Sequence, residues 1–355
     1  MPEANVELRL GTRGSQLAMW QANTVAARIA AAGGPPCRIV IIKTSGDRLQ
    51  EAPISDVGGK RLFVKEIEDA LFRREIDLAV HSSKDMPAVL PEGLVIAAVL
   101  PREDPLDAFV LPVRAQGSEP RAQGSGLRAQ KTAQPSALSP QPLTLDDLVA
   151  VLGQSPSIGT GSVRRIAQLT RLFPGARFAP IRGNLDTRLR RLDEGGPGGN
   201  DALVLAAAGL RRLGFSSRIS LPLPVAACVP APGQGIVAVE VRSGDTGVQD
   251  AVSRIDDPAA SAALAAERAL VETLGGGCQT PIGALATPVD GDMIELVAAV
   301  VALDGSRAVR ERARGSRSEA RALGAHVARQ LLSGGAGEIL AEARHGLGAV
   351  EGIQP

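Results

Sequence analysis

The chain has 355 residues and a formal net charge of +1, so no global field would draw it to nucleic acid or to a membrane surface. Aromatic residues make up only 2% of the chain and tyrosine is absent, which leaves little surface for stacking against single-stranded bases. A chain of this length is expected to form two or three domains.

Strands and helices alternate over the first hundred residues, a pattern typical of a mainly parallel sheet with helices on both faces. ELRLGT is predicted to be a strand, and Ser15 to cap the helix that follows it. Further strands are expected at 38–42, which should be buried, at 77–82 and at 94–99. RLFVKEIEDALFRRE is an amphipathic helix pattern, with Phe63, Ile67, Ala70 and Leu71 facing inward.

The pattern stops between about 114 and 142, where RAQGS occurs twice and RAQ a third time. Such low-complexity sequence predicts a disordered surface insertion, to which no function is assigned. A second alternating block follows, and PAPGQG then predicts a hinge that runs into a strand, GIVAVEVR. The last hundred residues predict a helix at about 258–274, a hairpin turning at Asp304 and Gly305, and two closing helices, which together form a smaller α+β domain.

Polar residues follow four of the predicted strands, at the sheet edge where α/β proteins bind ligands. These segments are GTRGS with Arg13 and Ser15, HSSKDMP with Lys84 and Asp85, GTGSVRR with Arg164 and Arg165, and IRGNLDTRLRR with Arg182, Asn184 and Arg188. The second segment could equally be ordinary surface, and the first could be a simple helix cap. The last two together place four cations at one sheet edge, which favours a ligand with several carboxylates or phosphates.

The three cysteines differ in their surroundings. Cys37 precedes a predicted core strand and Cys228 lies in the apolar segment PVAACVP, so both are expected to be inert, buried thiols. Cys278 lies in a bare glycine-rich stretch, LGGGCQTPIG, where a catalytic pair with His81 or a covalent attachment point both remain open. Cysteines this far apart form neither a disulfide framework nor a zinc cluster, so no metal is expected.

The location of the protein is also predicted from the sequence. The first residues, MPEANVELRLG, have neither the basic nor the apolar region of an export signal. The longest apolar runs are too short to span a bilayer. Together with the cysteine pattern, these features predict a protein of the reducing cytoplasm that has no membrane partner.

Nine segments in the same order resemble the porphobilinogen deaminase family, also called hydroxymethylbilane synthase, nearly from end to end. They are LGTRGSQLAMWQA, GGKRLFVKEIEDAL, DLAVHSSKDMP, REDPLDAFV, IGTGSVRR, RGNLDTRL, AAAGLRRLG, PAPGQG and ERALVETLGGGCQTPIG. No single motif would be specific, but nine in this order are.

The resemblance implies a fold of two α/β domains built like the lobes of periplasmic binding proteins, with a double crossover, and a smaller C-terminal α+β domain. Domain 1 is expected at 1–102 and 233–253. Domain 2 is expected at 103–232, including the insertion at about 114–142, and domain 3 at 254–355.

The resemblance also implies the reaction, in which four porphobilinogen molecules lose ammonia and join head to tail into hydroxymethylbilane. The chain grows on a dipyrromethane cofactor that is held by a thioether to the loop cysteine, which is Cys278 by position. Each pyrrole carries an acetate and a propionate, and the arginines match family positions that bind these carboxylates. The family is usually monomeric, and porphobilinogen is the expected small-molecule partner.

Site residues follow from the same resemblance. Asp85 matches the catalytic carboxylate, which would stabilise positive charge on the substrate pyrrole. The implied cofactor-binding residues are Cys278, Ser15, Lys84, Asp85, Thr160, Ser162, Arg164, Arg165 and Arg182. The implied substrate-binding residues are Arg13, Ser15, Phe63, Arg165, Arg182 and Arg188. Gly161 stands where many relatives have a hydroxyl residue, so this position is not assigned to binding.

Two other classes of protein remain as alternatives. A two-lobed anion-binding protein without catalysis would also carry arginines at its cleft, but it would normally be exported and would need no cysteine in a glycine-rich stretch. A nucleic-acid binder could use the arginine-rich helices, but the near-zero net charge and the scarcity of aromatic residues argue against it.

Overall fold

A computed structural model describes residues 7–44, 64–113, 143–181, 183–196, 198–277 and 279–349, with side chains described up to residue 344. Four parts of the sequence predictions lie outside the described residues: Phe63, the 114–142 insertion, Arg182 and Cys278.

The described elements alternate as the sequence predicts. In chain order they are β1 Leu8–Thr12, α1 Gln16–Ala31, β2 Cys37–Ile41, α2 Lys65–Phe72, β3 Leu78–Ser82, β4 Leu94–Val99, β5 Asp107–Val110, α3 Leu145–Leu152, β6 Ser157–Gly159, α4 Val163–Thr170, β7 Arg177–Ala179, α5 Leu185–Glu194, β8 Ala202–Ala206, α6 Ala207–Arg212, β9 Leu221–Pro222, β10 Val237–Arg242, α7 Thr246–Ser253, α8 Pro258–Thr273, β11 Ile282–Pro288, β12 Met293–Val301, β13 Ala308–Ser316, α9 Ala320–Ser333 and α10 Ala336–Ala349.

Two five-stranded sheets share one topology. The first lobe has the order β2-β1-β3-β10-β4, and the second lobe has β7-β6-β8-β5-β9. In each sheet the first three strands are parallel to one another, and the fourth is antiparallel to both of its neighbours. The antiparallel strands are β10 in the first lobe and β5 in the second, and each enters its sheet from the other lobe. The chain therefore crosses between the lobes twice.

The C-terminal part forms a third, antiparallel sheet of β11, β12 and β13. The hairpin between β12 and β13 turns through Asp304 and Gly305, as predicted. Helices α8, α9 and α10 pack their aliphatic residues on this sheet in one buried cluster, which includes Leu270, Leu296 and Val327. The predicted fold class, two α/β lobes and a smaller α+β unit, is confirmed, while the exact domain limits stay a prediction.

Two predictions about the first sheet are wrong in detail. The strand expected to be buried at 38–42 is β2, an edge strand in which no residue is fully buried and Ile41 is 56% exposed. Its run of β-branched residues reflects the pleated surface of a strand rather than burial on both faces. Both sheets are also mixed rather than mainly parallel, because each contains one antiparallel strand that enters from the other lobe.

Both connections between the lobes meet at one buried carboxylate. Glu267 on α8 is fully buried and accepts hydrogen bonds from Arg102 in the first connection (2.5 Å) and from the Gly233 backbone N–H in the second (2.6 Å). It also accepts a bond from the Ala286 backbone N–H on β11 (2.7 Å). A single side chain of the C-terminal unit thus joins both connections to that unit.

Candidate functional site

The segment that follows β3 carries the predicted catalytic carboxylate. Residues Ser83–Asp85 form one turn of 3-10 helix, and the Ser83 N–H donates to the Ile236 carbonyl in the second connection (3.0 Å). Met86 is buried and anchors the turn in the interior. Asp85 is exposed, and within the described part of the chain its carboxylate accepts no hydrogen bond. Its oxygens are therefore available to a ligand.

Lys84 occupies a more crowded position on the same turn. Its ammonium lies 3.4 Å from the side-chain oxygen of Gln234. Burial lowers the pKa of Lys84 to about 8. The positive charge of Arg165 also lowers this pKa, while the nearby Asp85 carboxylate raises it. Lys84 is a cation below that pH and loses its charge above it, so the positive charge of this site depends on pH near neutrality.

The GTGSVRR segment begins helix α4. Thr160 is buried, and its hydroxyl accepts a bond from the Ser162 N–H (3.3 Å). Ser162 stands at the N-cap of α4, but its side chain makes no capping hydrogen bond. This leaves the Ser162 hydroxyl free of a structural role at the helix start, where N–H groups favour an anion.

Arg164 and Arg165 point inward and share one buried carboxylate, Asp107 on β5. Arg164 donates to Asp107 at 2.7 Å and 3.2 Å and to the Val229 carbonyl at 2.7 Å. Arg165 donates to Asp107 at 2.8 Å and to the Val204 carbonyl at 2.8 Å. The two guanidinium groups hold the pKa of Asp107 far below its usual range despite complete burial. The pair thus contributes about one net positive charge rather than two.

Sequence reasoning missed Asp107. The only available signal was an acidic residue at the start of an otherwise apolar strand, DAFV, where a charge needs a partner. Its partners, Arg164 and Arg165 on helix α4, are 57 and 58 residues away along the chain.

We expect Asp107→Asn to destabilise the protein by about 3–5 kcal/mol, because it leaves two buried guanidinium groups without their counter-charge. Urea unfolding followed by circular dichroism measures the change. Asp69→Asn is the matched control, since Asp69 pairs with Lys65 on the exposed surface of α2. This variant should lose little stability. Equal midpoints for the two variants would contradict the structural importance of the buried cluster.

The remaining described arginines lie around the same edge. Arg188 on α5 donates to the Gly183 carbonyl (2.8 Å), and burial lowers its pKa, with Arg165 acting in the same direction and Asp85 against it. Arg165 and Asp85 are therefore close enough to Arg188 for their charges to affect its pKa. Arg13 is half-buried after β1. Asn184 stands at the N-cap of α5, but its side chain makes no capping hydrogen bond.

Ser15 caps α1, as predicted, and its hydroxyl accepts a bond from the Ala18 N–H (3.3 Å). The hydroxyl of a capping serine retains a lone pair and a proton, so the cap does not exclude a second role in binding.

The two lobes and the C-terminal unit meet around one cavity, called here the central cavity. It is lined among others by Lys84, Ser162, Arg164 and Arg268. Gly277 and Thr280, which flank Cys278 in the sequence, line it as well. The structure thus brings together the polar residues of β3, the α4 start and the glycine-rich segment. Arg182, Phe63 and Cys278 themselves lie outside the described residues, and the assigned roles of all the site residues stay predictions.

Other kinds of site find no support among the described residues. No helix there has both the length and the apolar character needed to cross a bilayer. No group of three or more His, Cys, Asp or Glu side chains in that part of the chain could hold a metal ion.

The fold and the cavity define a class of protein in which two α/β lobes and a third unit enclose a cation-rich, hydroxyl-lined space. Residues 8–250 match the family model for the porphobilinogen deaminase dipyrromethane cofactor-binding domain, and residues 262–333 match the model for its C-terminal domain. The chain belongs to the porphobilinogen deaminase family, which confirms the resemblance seen in the sequence.

Curated relatives agree with this assignment. A porphobilinogen deaminase of Moorella thermoacetica is 42% identical over 348 residues, covering 98% of this chain and all of the relative. Another, from Desulforudis audaxviator, is 43% identical and covers 96% of this chain and 99% of the relative. Among solved structures, an ancestral cationic amino acid solute-binding protein covers 70% of this chain and 87% of its own, with 13% identity and a TM-score of 0.37. A match that weak carries no functional information.

Proposed function

We propose that the chain is a porphobilinogen deaminase, a transferase that assembles hydroxymethylbilane from four porphobilinogen molecules on a covalent dipyrromethane. The observation that supports this most directly is the exposed Asp85 carboxylate, which is next in the chain to Lys84, a residue that lines the cavity shared by both lobes and the C-terminal unit. A two-lobed anion-binding protein without catalysis is not favoured, because the family match extends over the C-terminal domain as well.

The residues around the central cavity fit the cofactor. A dipyrromethane carries four carboxylates, and the cavity presents Lys84, Arg268 and the Ser162 hydroxyl to such a ligand. Arg164 and Arg165 contribute charge, but Asp107 and the Val229 and Val204 carbonyls occupy most of their donors. Arg188, whose hydrogen bond to the Gly183 carbonyl uses only its Nε, is better placed to bind a further carboxylate. When bound, the cofactor would supply the nucleophilic pyrrole carbon to which the substrate is joined.

Asp85 would act on the porphobilinogen that enters. Loss of ammonia from the aminomethyl group leaves a positive charge that is shared with the pyrrole nitrogen. An ionised carboxylate within hydrogen-bond distance of the pyrrole N–H stabilises that charge, and most strongly in the transition state where the charge develops. Asp85 suits this role because no hydrogen bond within the described residues occupies its oxygens. Lys84 and Arg188 would bind the substrate carboxylates.

Two further properties follow from the sequence as part of this proposal. The widely spaced cysteines favour a reducing cytoplasm. Members of the family are usually monomeric, which favours a monomer here. The predicted domain roles place Asp85 in domain 1, the arginine segments in domain 2 and the cofactor anchor in domain 3.

The activity is tested by supplying the purified protein with porphobilinogen and measuring ammonia and linear tetrapyrrole together. We expect one ammonia for each porphobilinogen consumed and four for each tetrapyrrole released. Heat-denatured protein is the control for spontaneous condensation. Binding of porphobilinogen without release of ammonia would contradict the enzymatic proposal and would favour the anion-binding alternative.

A further inference from the structure

Gln234 lies at the point where the second connection passes the site. It is 1% exposed and stands between two glycines with positive φ, Gly233 at 74° and Gly235 at 87°. A Cβ at Gly233 would lie 2.6 Å from the Ser83 hydroxyl, and one at Gly235 would collide with the Glu103 carbonyl. Glycine is therefore required on both sides for the backbone to pass this closely.

The backbone of Gln234 is held from several directions. Arg102 donates to its carbonyl (2.8 Å), and its N–H donates to the Ala231 carbonyl (2.9 Å). The N–H of the preceding Gly233 donates to the buried Glu267. A backbone fixed in this way aims the side chain in one direction and removes most of the entropy that positioning would otherwise cost.

The side chain of Gln234 contacts charged groups from both lobes. Its amide nitrogen donates to the Pro105 carbonyl (2.7 Å) and to the Asp107 carboxylate (3.0 Å) in the second lobe. Its amide oxygen faces the Lys84 ammonium of the first lobe at 3.4 Å. A neutral amide offers a donor to the carboxylate and an acceptor to the ammonium at the same time, which neither a carboxylate nor a cation can do.

We propose that Gln234 is a positioning residue that sets Lys84 in register with the Asp107–Arg164–Arg165 cluster across the two lobes. Gln234 is almost fully buried and acts through Lys84, which lines the central cavity. The proposal rests on the proposed function only where it concerns substrate affinity. The arrangement fixes the spacing of the cations that receive the acetate and propionate groups of the growing chain.

The charges around Lys84 determine what removal of the amide does. Asp85 and Asp107 favour its charged form, while Arg164 and Arg165 oppose it. Arg268 lines the same cavity. Without the amide oxygen the ammonium keeps its burial and its cationic neighbours but loses an acceptor, so its pKa falls below about 8.

The test replaces Gln234 with methionine, which keeps the length and flexibility of the side chain but offers no amide. Lysine-selective carbon-13 NMR follows the titration of Lys84, since the chain has only five lysines, and Lys84→Arg identifies the signal. We expect the midpoint to fall by about one pH unit, as for loss of a hydrogen bond to a charged group. The KM for porphobilinogen should rise about tenfold at pH 8 with a smaller change in kcat.

Gln249→Met is the matched control, because Gln249 on α7 donates to the backbone carbonyls of Arg242 and Ser243 at the end of β10, and it does not line the cavity. It should leave both the Lys84 midpoint and the KM unchanged. Gln234→Asn is the second variant, to be used if the methionine variant does not fold. It retains an amide, but the side chain is too short to span both partners, so the Lys84 titration midpoint should shift in the same direction.

An unchanged Lys84 midpoint in a folded Gln234 variant would overturn the proposal, whatever the activity. The titration requires no turnover, so it separates this outcome from failure of the proposed function. A wild-type protein that never consumes porphobilinogen overturns the function but leaves the contact measurable.

Discussion

Replacing Cys278 with alanine is expected to abolish turnover and to remove the covalent cofactor. The thiolate is the nucleophilic form of cysteine, and the other two thiols are poor sources of it. Burial raises the pKa of Cys228 to about 12, and burial together with Glu7 raises that of Cys37 to about 11. The sequence places Cys278 between Gly277 and Gln279, and both Gly277 and Thr280 line the central cavity. The family resemblance assigns the attachment point to Cys278, and we propose this residue because the other two thiols are poor nucleophiles.

Intact-mass spectrometry provides the measurement. Wild-type protein should exceed its sequence mass by two porphobilinogen-derived units, and Cys278→Ala should have the sequence mass alone. Cys37→Ala is the control and should keep both the adduct and the activity. An adduct that persists in Cys278→Ala would move the anchor to another residue, and Cys228 would then be tested in the same way.

Asp85→Asn is expected to lower kcat by about 10²- to 10³-fold, the loss typical of removing one electrostatic contact that acts mainly in the transition state. Asparagine keeps the size of the side chain but offers no negative charge to the developing cation. The cofactor should still be attached in protein that is purified with it, because the anchor is a different residue. Rate measurements at saturating porphobilinogen, together with intact mass, separate the two effects.

Asp250→Asn controls for the substitution itself, since Asp250 is exposed on α7, far along the chain from the turn that carries Asp85. Its kcat should match that of the wild type. If Asp85→Asn retained near-normal turnover, the catalytic carboxylate would have to be sought elsewhere around the cavity.

Local patterns in the sequence were enough to predict most of the elements and the edge where the site forms. The helix at about 258–274 is α8, and the hairpin around Asp304 is present as predicted. The polar turn after β3 could be found because a buried apolar strand leads directly into Lys84 and Asp85. These features depend on neighbours within a few residues, which is the range over which periodicity and turn chemistry act.

The partners of the charged residues could not be predicted in the same way. Arg164 and Arg165 were expected to face a ligand, yet both are bound to Asp107. Gln234 reaches Asp107 across 127 residues and Lys84 across 150. The folding of the second lobe brings Arg164 and Arg165 to Asp107, and the double crossover brings Gln234 and Lys84 beside them. No local pattern encodes which distant carboxylate neutralises a given arginine. The exposed edge strand β2 was missed for the same reason, because the order of strands in a sheet is a long-range property.

The joint at Glu267 has a consequence for how the molecule can accommodate a lengthening product. One carboxylate holds both connections between the lobes and the first strand of the C-terminal unit. Bending at either connection alone would break hydrogen bonds to the Glu267 carboxylate. This costs free energy, because it leaves a buried charge without its partners. Motions that preserve these bonds turn all three bodies about a common pivot. Room for each added pyrrole would then be made by a concerted swivel, in which the unit that bears Cys278 moves together with the lobes.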